Sequence, residues 1–509
     1  MKKLIVCSLM ATSTLVSPMY AHAGGINMKL IGTYKTGLAN PKEKISSAET
    51  VALRDGKLFA TNANDVSLDI VDVRNPAQPA LLKRVDLKPY GSSVNSVDVS
   101  ANGLVAIAVN GQTKTANGSV VFLDAEGNLK QTATVGAGPD MVVFTTDGKR
   151  LLVANEGEPD CYGQGCVDPE GSVSVIEIAS ADQAPVVHTI GFSEVKLPEG
   201  VRMFGPGATP AQDIEPEYIA LSIDSKTAWV SLQENNAIAK LDLETMKVSD
   251  VFALGYKDHG KEGHGLDVSD KDGKINIKTW TNVRGMYMPD AIAHFMVDGK
   301  SYLVSANEGD ARDYKGFAEE ARVIELSQLS AIKGADDKKN LGRLTVTNTP
   351  PNNDFSHAYA FGGRSISVWD GATGEQMWDS GDQLEQYTAR ALPNNFNSNN
   401  DKNDSYDTRS DNKGPEPEAV AIGKLGDRTF AFVGLERTGG LAVFDITDPK
   451  APVYQRYITS RYFSVEGSDS GPEIVRFVDA ASSPDKQPMV VVANEVSGTV
   501  NFWRVALKP

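Results

Sequence analysis

"LLVANEGEPD" at 151–160, "YLVSANEGDARDY" at 302–314 and "MVVVANEVSGTV" at 489–500 are three versions of one strand. Each is an apolar run that stops at Ala-Asn-Glu. A short apolar run bounded by polar and turn residues reads as a buried strand. The same strand returning three times reads as a repeat.

Working outward, each strand belongs to a larger unit. The unit opens with an acidic residue, commonly after Pro, that leads into a first apolar strand. A turn with Asp-Gly or a similar pair follows. The second strand comes next, and then a third of the type "VSVIEI". Clear copies are "PDMVVFTTDGKRLLVANE…GSVSVIEI" (139–178), "PDAIAHFMVDGKSYLVSANE…ARVIEL" (289–326), "PEAVAIGKLGDRTFAFVGLERTGGLAVFDI" (417–446) and the unit over 472–505. Weaker copies run over 47–73, 94–125 and 216–243. A degenerate copy, "HAYAFGGRSISVWDGATGEQMWDSG" (357–381), lacks the acidic opening.

Helical periodicity is nearly absent; one short candidate covers 317–333. All-β units of this length, with hairpin signals inside each, predict a β-propeller. Seven blades are favoured as the commoner closure, and the degenerate copy leaves eight open. "NMKLIGTY" (27–34) is expected to supply an outer strand that closes the ring against the last blade. The mature chain, 24–509, then forms one domain. Its longest loop, about 392–416, is crowded with Asn, Asp and Ser, and that composition predicts mobility.

Residues 1–23 read as a signal peptide. Lys2 and Lys3 precede an apolar run, and Ala21-His22-Ala23 offers a small-x-small cleavage site. Cys7 lies inside the apolar run behind Val6, which disfavours a lipoprotein anchor. No later stretch is apolar enough to span a membrane. The protein is expected to be exported, to the periplasm or beyond. Loss of Lys2 and Lys3 takes the formal charge of −16 to −18. Such a surface repels nucleic acid and attracts cations. Cys161 and Cys166, in "CYGQGC", then read as a short-loop disulfide.

The openers of the first strands are Glu49, Asp98, Asp140, Glu217, Asp290, Glu418 and Glu473, with Asp98 offset inside its strand. The second strands end at Asn62, Asn110, Asn155-Glu156, Glu234-Asn235, Asn307-Glu308, Glu436 and Asn494-Glu495. A propeller copies one position around an axis, so these predict a ring of oxygens at one mouth. Clustered carboxylates repel unless something positive sits among them. Calcium, or another divalent cation, suits a ligand set of carboxylate and amide oxygens. The metal candidates are Glu49, Asp140, Glu156, Glu217, Asp290, Glu308, Glu418, Glu436, Glu473 and Glu495. The competing reading is that such carboxylates cap backbone N–H groups or tie neighbouring blades together.

Arg312, Arg364, Arg409 and Arg437 follow these motifs. They read either as salt-bridge partners of the ring or as a clamp for phosphate or another oxyanion beside a metal. "GLDVSDKDGKINI" (265–277) fails as a calcium loop, because Val268 and Thr279 fall where the first and last ligands belong. Signatures of a serine hydrolase, a zinc protease or a nucleotide-binding loop are missing from the sequence, and no nucleophile is identified.

The motifs "LLVANEGEPD", "MYMPDAIA", "YLVSANEGDARDY", "FGGRSISVWD", "RSDNKGPEPEAV", "AFVGLERTGGLAVFDITDP" and "VVVANEVSGTV" resemble the choice-of-anchor I family. That family groups exported bacterial proteins with mesenchyme-specific cell-surface glycoproteins of animals. The resemblance runs from about Ser47 to Val505. It implies a WD40/YVTN-like propeller outside the cytoplasm, and some relatives are labelled alkaline phosphatase-like. Its motifs fall on Glu156, Glu308, Arg312, Arg364, Asp411, Glu416, Glu418, Glu436, Arg437 and Glu495. Three functions follow as expectations. The first is a calcium-binding propeller that docks a small-molecule or protein ligand at one face. The second is a metal-dependent phosphomonoesterase or phosphodiesterase. The third is a metal-free interaction scaffold.

Overall fold

Two-residue turns set the hairpins. Asp55-Gly56 joins the strands Val51–Arg54 and Lys57–Asn62, with φ of +48° and +74°. Asp298-Gly299 does the same between Ile292–Val297 and Lys300–Asn307. Positive φ at both positions matches the twist of the flanking strands, which is why Asp-Gly recurs there. The computed structural model describes residues 25–178 and 184–508. The signal peptide read at 1–23 lies outside the described residues.

Seven four-stranded antiparallel sheets result. In chain order the blades cover 51–86, 94–137, 139–191, 216–253, 292–379, 417–458 and 472–507. The innermost strand of each touches that of the next, and the strand Pro472–Val478 of the seventh returns to Val51–Arg54 of the first. The ring is therefore closed with seven blades. The strand Ile26–Lys35 pairs antiparallel with Thr499–Leu507, so the seventh blade takes its outer strand from the chain's start. Between blades, Val, Ala, Leu and aromatic side chains are fully buried, among them Leu152, Val230, Val304, Val433 and Val491. Among the described residues no helix is long and apolar enough to cross a membrane.

The degenerate copy at 357–381 is not an eighth blade. Ser365–Asp370 and Gln376–Asp379 are the third and fourth strands of blade 5. "ARVIEL" is not that blade's third strand either: Glu320–Arg322 joins a separate five-stranded side sheet, and a 3-10 turn follows at Val323–Glu325. The insertion pushes the true third strand some sixty residues downstream of its partner, as the pairing of Asn307 with Ser365 shows. The one α-helix among the described residues, Gln383–Ala391, leads into the Asn/Asp-rich loop.

That loop is not an open, solvated segment. Phe396, Asn397, Ser398, Ser410 and Glu416 are fully buried. Asn397 donates to Glu385 and to Ser410, and Arg364 donates to the carbonyls of Ser410 and Asn412. The polar residues that suggested mobility satisfy one another and the backbone instead.

Candidate carboxylate mouth

The same register break occurs at the start of the first strand in five blades. It falls after Val94, Pro139, Pro216, Pro417 and Pro472. A break of this kind re-aims the next side chain. That next residue is Asn95, Asp140, Glu217, Glu418 or Glu473. Glu49 and Asp290 hold the matching places in blades 1 and 5, each bonding through its backbone N–H to the second strand. The opener of blade 2 is therefore Asn95, an amide. Asp98 lies deeper, where its carboxylate accepts the Phe144 N–H at 2.8 Å and faces Arg476.

The two residues of Asn-Glu separate. Asn155 donates to Ser172 and Ser174, Asn307 to Ser365 and Ser367, and Asn494 to Thr499 and Asn501. All three are buried and tie the second strand of a blade to its third. The Asn therefore does not belong to the ring of oxygens. The Glu does. In the following position Glu156, Glu308, Glu436 and Glu495 lie in the field of the first-strand openers, and blade 4 has Gln233 and Glu234 there.

All ten carboxylates singled out from the sequence come together at this mouth. Glu473 feels Glu495, Glu436, Glu49 and Asp290; Glu217 feels Glu234, Asp290, Glu156 and Asp140. Burial, and then neighbouring carboxylates, push Glu49, Glu156, Glu217, Glu418 and Glu473 well above the usual carboxylate range, and burial does the same to Glu436 against the opposing charge of Arg437. Burial raises Asp140 to about 6 and Asp290 to about 7. Asp140 is within hydrogen-bond reach of Glu156, and Asp290 of Glu418. Two carboxyl groups that close share either a proton or a cation.

The tightest cluster is Glu308, Glu418 and Glu436, with one oxygen from each within 4.8 Å of the others. Glu308 accepts Gln233 Nε2 at 2.7 Å and Lys413 Nζ at 2.5 Å. Glu436 accepts Asn400 Nδ2 at 2.6 Å and forms an ion pair with Arg437, whose Nε lies 3.0 Å away. Glu418 is 8% exposed and its Oε2 has no partner. The donors are all oxygens, the set a hard cation prefers.

The four arginines are engaged. Arg312, 1% exposed, is held by Asp213 and Glu215. Arg364, 3% exposed, donates to Glu385, to the Asp267 carbonyl and to two carbonyls of the long loop. Arg409 pairs with Glu416; Arg437 reaches Glu416, Glu436 and Asn400. This is the salt-bridge arrangement rather than an open oxyanion clamp. Around Glu416, burial is overcome by Lys413, Arg409 and Arg437, which hold the carboxylate well below its usual range.

Lys413 and Glu234 were not among the candidates, and Glu416 entered only through the family resemblance. Lys413 meets a Glu more than a hundred residues away, which no local pattern signals. Glu234 was legible as a strand end. Cys161 and Cys166 are joined by a disulfide near the same face, where Tyr162 packs edge-on against Tyr314.

The sequence profile of the Choice-of-anchor I domain matches residues 50–449. Gigasin-3a of Magallana gigas is 31% identical over 183 residues, which are 32% of this chain and 64% of that protein. The Mesenchyme-specific cell surface glycoprotein of Strongylocentrotus purpuratus is 29% identical over 325 residues, 56% of this chain and 42% of that protein. The matches thus span less than two thirds of the length of either relative. Among solved structures, Kuenenia stuttgartiensis hydrazine synthase aligns over 92% of this chain and 97% of its own, with 13% identity and a TM-score of 0.48. The β-propeller domain of Myceliophteria thermophila Cps50 (Swd1) aligns over 94% of this chain and 99% of its own, at 8% identity and a TM-score of 0.45. With the family profile covering most of the propeller, the chain belongs to the choice-of-anchor I family.

Proposed function

We propose that this protein is an exported β-propeller that binds calcium at its axial mouth and docks a ligand or partner on that ion-bearing face. The observation that carries the reading is Glu418 Oε2, buried and unpartnered among Glu308 and Glu436. A carboxylate removed from water without a partner is costly, and a divalent cation relieves that cost. Calcium fits better than zinc, because the cluster offers carboxylates and neighbouring amides rather than His or Cys. Lys413 and Arg437 neutralise only part of the surrounding charge, so attraction for a further cation remains.

Export is supported by the disulfide, which persists in an oxidising compartment. The sea-urchin relative, named a cell surface glycoprotein, points the same way. The phosphoesterase reading lacks a free guanidinium among its four candidates and receives no support of its own.

The test is metal content of protein purified without chelator, with melting curves in calcium and in EGTA. Bound calcium, and a melting temperature that falls in EGTA, are expected for the wild type. Glu418→Gln should lose both. An unchanged melting curve, with no metal bound, leaves the scaffold reading in place.

A further inference from the structure

A cleft of about 930 Å³ lies on the mouth face, beside the turn that follows Asn494-Glu495 of blade 7. Four separate stretches wall it, at 40–44, 400–404, 463–470 and 496–497. Its two buried lining residues bond to each other: Ser470 Oγ donates to the Asn400 carbonyl at 2.6 Å. The Asn400 amide in turn bridges Glu436 and Arg437, at 2.6 and 3.1 Å. The cleft therefore shares a wall with the carboxylate cluster.

The protein is strongly acidic, at −16, but this cleft is not. Lys42, Lys44 and Lys402 stand against Asp401, Asp404 and Glu466. Lys42 and Glu466 pair at 2.8 Å. Among the described residues no salt bridge reaches the other four. Equal and opposite charges give no net pull on a polyanion or a polycation. They do set hydrogen-bond donors and acceptors side by side. Phe463 adds one aromatic ring to the lining, with the Arg461 guanidinium 4.3 Å from its centre.

The wall is also short of partners. Arg461 is 4% exposed, and its guanidinium donates to the carbonyls of Arg437, Thr438, Asn399 and Lys402. No salt bridge reaches it among the described residues, and its Nε is unpartnered. Asp401 Oδ1 is buried and unpartnered too. A donor and an acceptor are thus left over in one wall, and buried polar groups are normally paired. A hydroxyl both donates and accepts, so a polyol supplies what this wall lacks.

We infer that this cleft binds a neutral oligosaccharide, with Asp401, Asp404, Lys44 and Lys402 taking sugar hydroxyls and Phe463 taking the apolar face of a ring. The inference rests on the proposed reading of this face as a docking surface, and it names the class of ligand. The volume suits a ligand of several rings. The C–H face of a sugar packs flat on an aromatic ring, while carboxylates and ammonium groups at the rim fix its orientation.

The experiment presents calcium-loaded, full-length mature protein to an array of neutral, carboxylated and sulfated oligosaccharides. Calorimetry with the best neutral glycan follows, on the wild type, Phe463→Ala and Asp404→Ala. Neutral glycans should bind, and each variant should weaken binding by about tenfold or more. Asp404 is exposed and makes no hydrogen bond among the described residues, so its variant tests the cleft even if Phe463→Ala disturbs the loop. No neutral glycan bound, a preference for the charged glycans, or full affinity in Asp404→Ala and a folded Phe463→Ala would each overturn the cleft as a neutral-sugar site. Metal content is read on the same samples. Protein that holds calcium but binds no neutral glycan loses this inference alone; protein that binds the glycan without calcium keeps it and loses the ion.

Discussion

Lys413 places its ammonium 2.5 Å from Glu308 Oε1, with both side chains buried, and 3.5 Å from Glu416. The long loop thus supplies a cation to the carboxylate mouth. Burial disfavours the charged form, but Glu308, Glu416 and Asp310 outweigh it and keep the ammonium well above its ordinary pKa. Lys413→Met leaves the buried Glu308 and Glu416 short of one partner. In EGTA its unfolding free energy should fall by about 3 kcal/mol. Calcium should restore more stability to the variant than to the wild type, because a competing charge has gone. Urea unfolding with and without calcium checks this. Equal calcium responses in the two proteins would separate Lys413 from the ion site.

Arg312 illustrates why charge alone is not enough. Its guanidinium meets Asp213 and Glu215 together and also donates to the Asp213 carbonyl. A lysine keeps the charge but not the planar fork. Arg312→Lys should therefore destabilise the protein nearly as much as Arg312→Met, by about 3 kcal/mol or more in urea unfolding. Full stability in the lysine variant would show that the fork is dispensable.

The ring itself was legible because its signals are local. Asp-Gly turns, the acidic openers and the repeated second strand all lie within one blade. So was the closing strand, whose alternation matches an outer edge. The side sheet was not legible. Its strands Val283–Met286 and Ala358–Ala360 are short and pair in parallel across a long insertion. They offer no period to read, and "ARVIEL" mimicked a blade strand nearby. At the mouth, the sequence pattern found the carboxylates, because a repeat copies positions. It misassigned Asp98 for Asn95, because the register break that aims the opener cannot be read from residue types. It also grouped Asn with Glu, although adjacent strand residues point to opposite faces.

That alternation makes Asn307 and Glu308 separable by mutation. Asn307 donates at 2.8 Å to Ser367 and at 3.2 Å to Ser365, inside its own blade. Asn307→Ala takes a donor from those hydroxyls, which still donate to Asp379, and removes the acceptor of Ser305 Oγ, so it should cost about 1–2 kcal/mol of stability. Calcium stoichiometry should stay as in the wild type. Calorimetry and melting together check this, and a lost equivalent of calcium would place the Asn in the ion site after all.

Asp407 gives the pH test. It is 3% exposed in the long loop, and burial lifts its pKa to about 7. Ser410 donates to it, while Asp267, Asp272 and Asp270 add like charge. No salt bridge reaches it among the described residues. An unfolded Asp titrates near ~3.9. Between those values the folded state binds more protons than the unfolded state, so stability falls as pH rises from about 4 to about 7. Asp407→Asn keeps an acceptor for Ser410 and removes the ionisation. The variant should match the wild type near pH ~4 and exceed it by on the order of 2 kcal/mol near pH ~8 in EGTA. Other titrating groups are common to both proteins and cancel in the difference. Urea unfolding at several pH values measures it. A difference that does not change with pH would mean that Asp407 ionises as freely in the folded protein as in the unfolded chain.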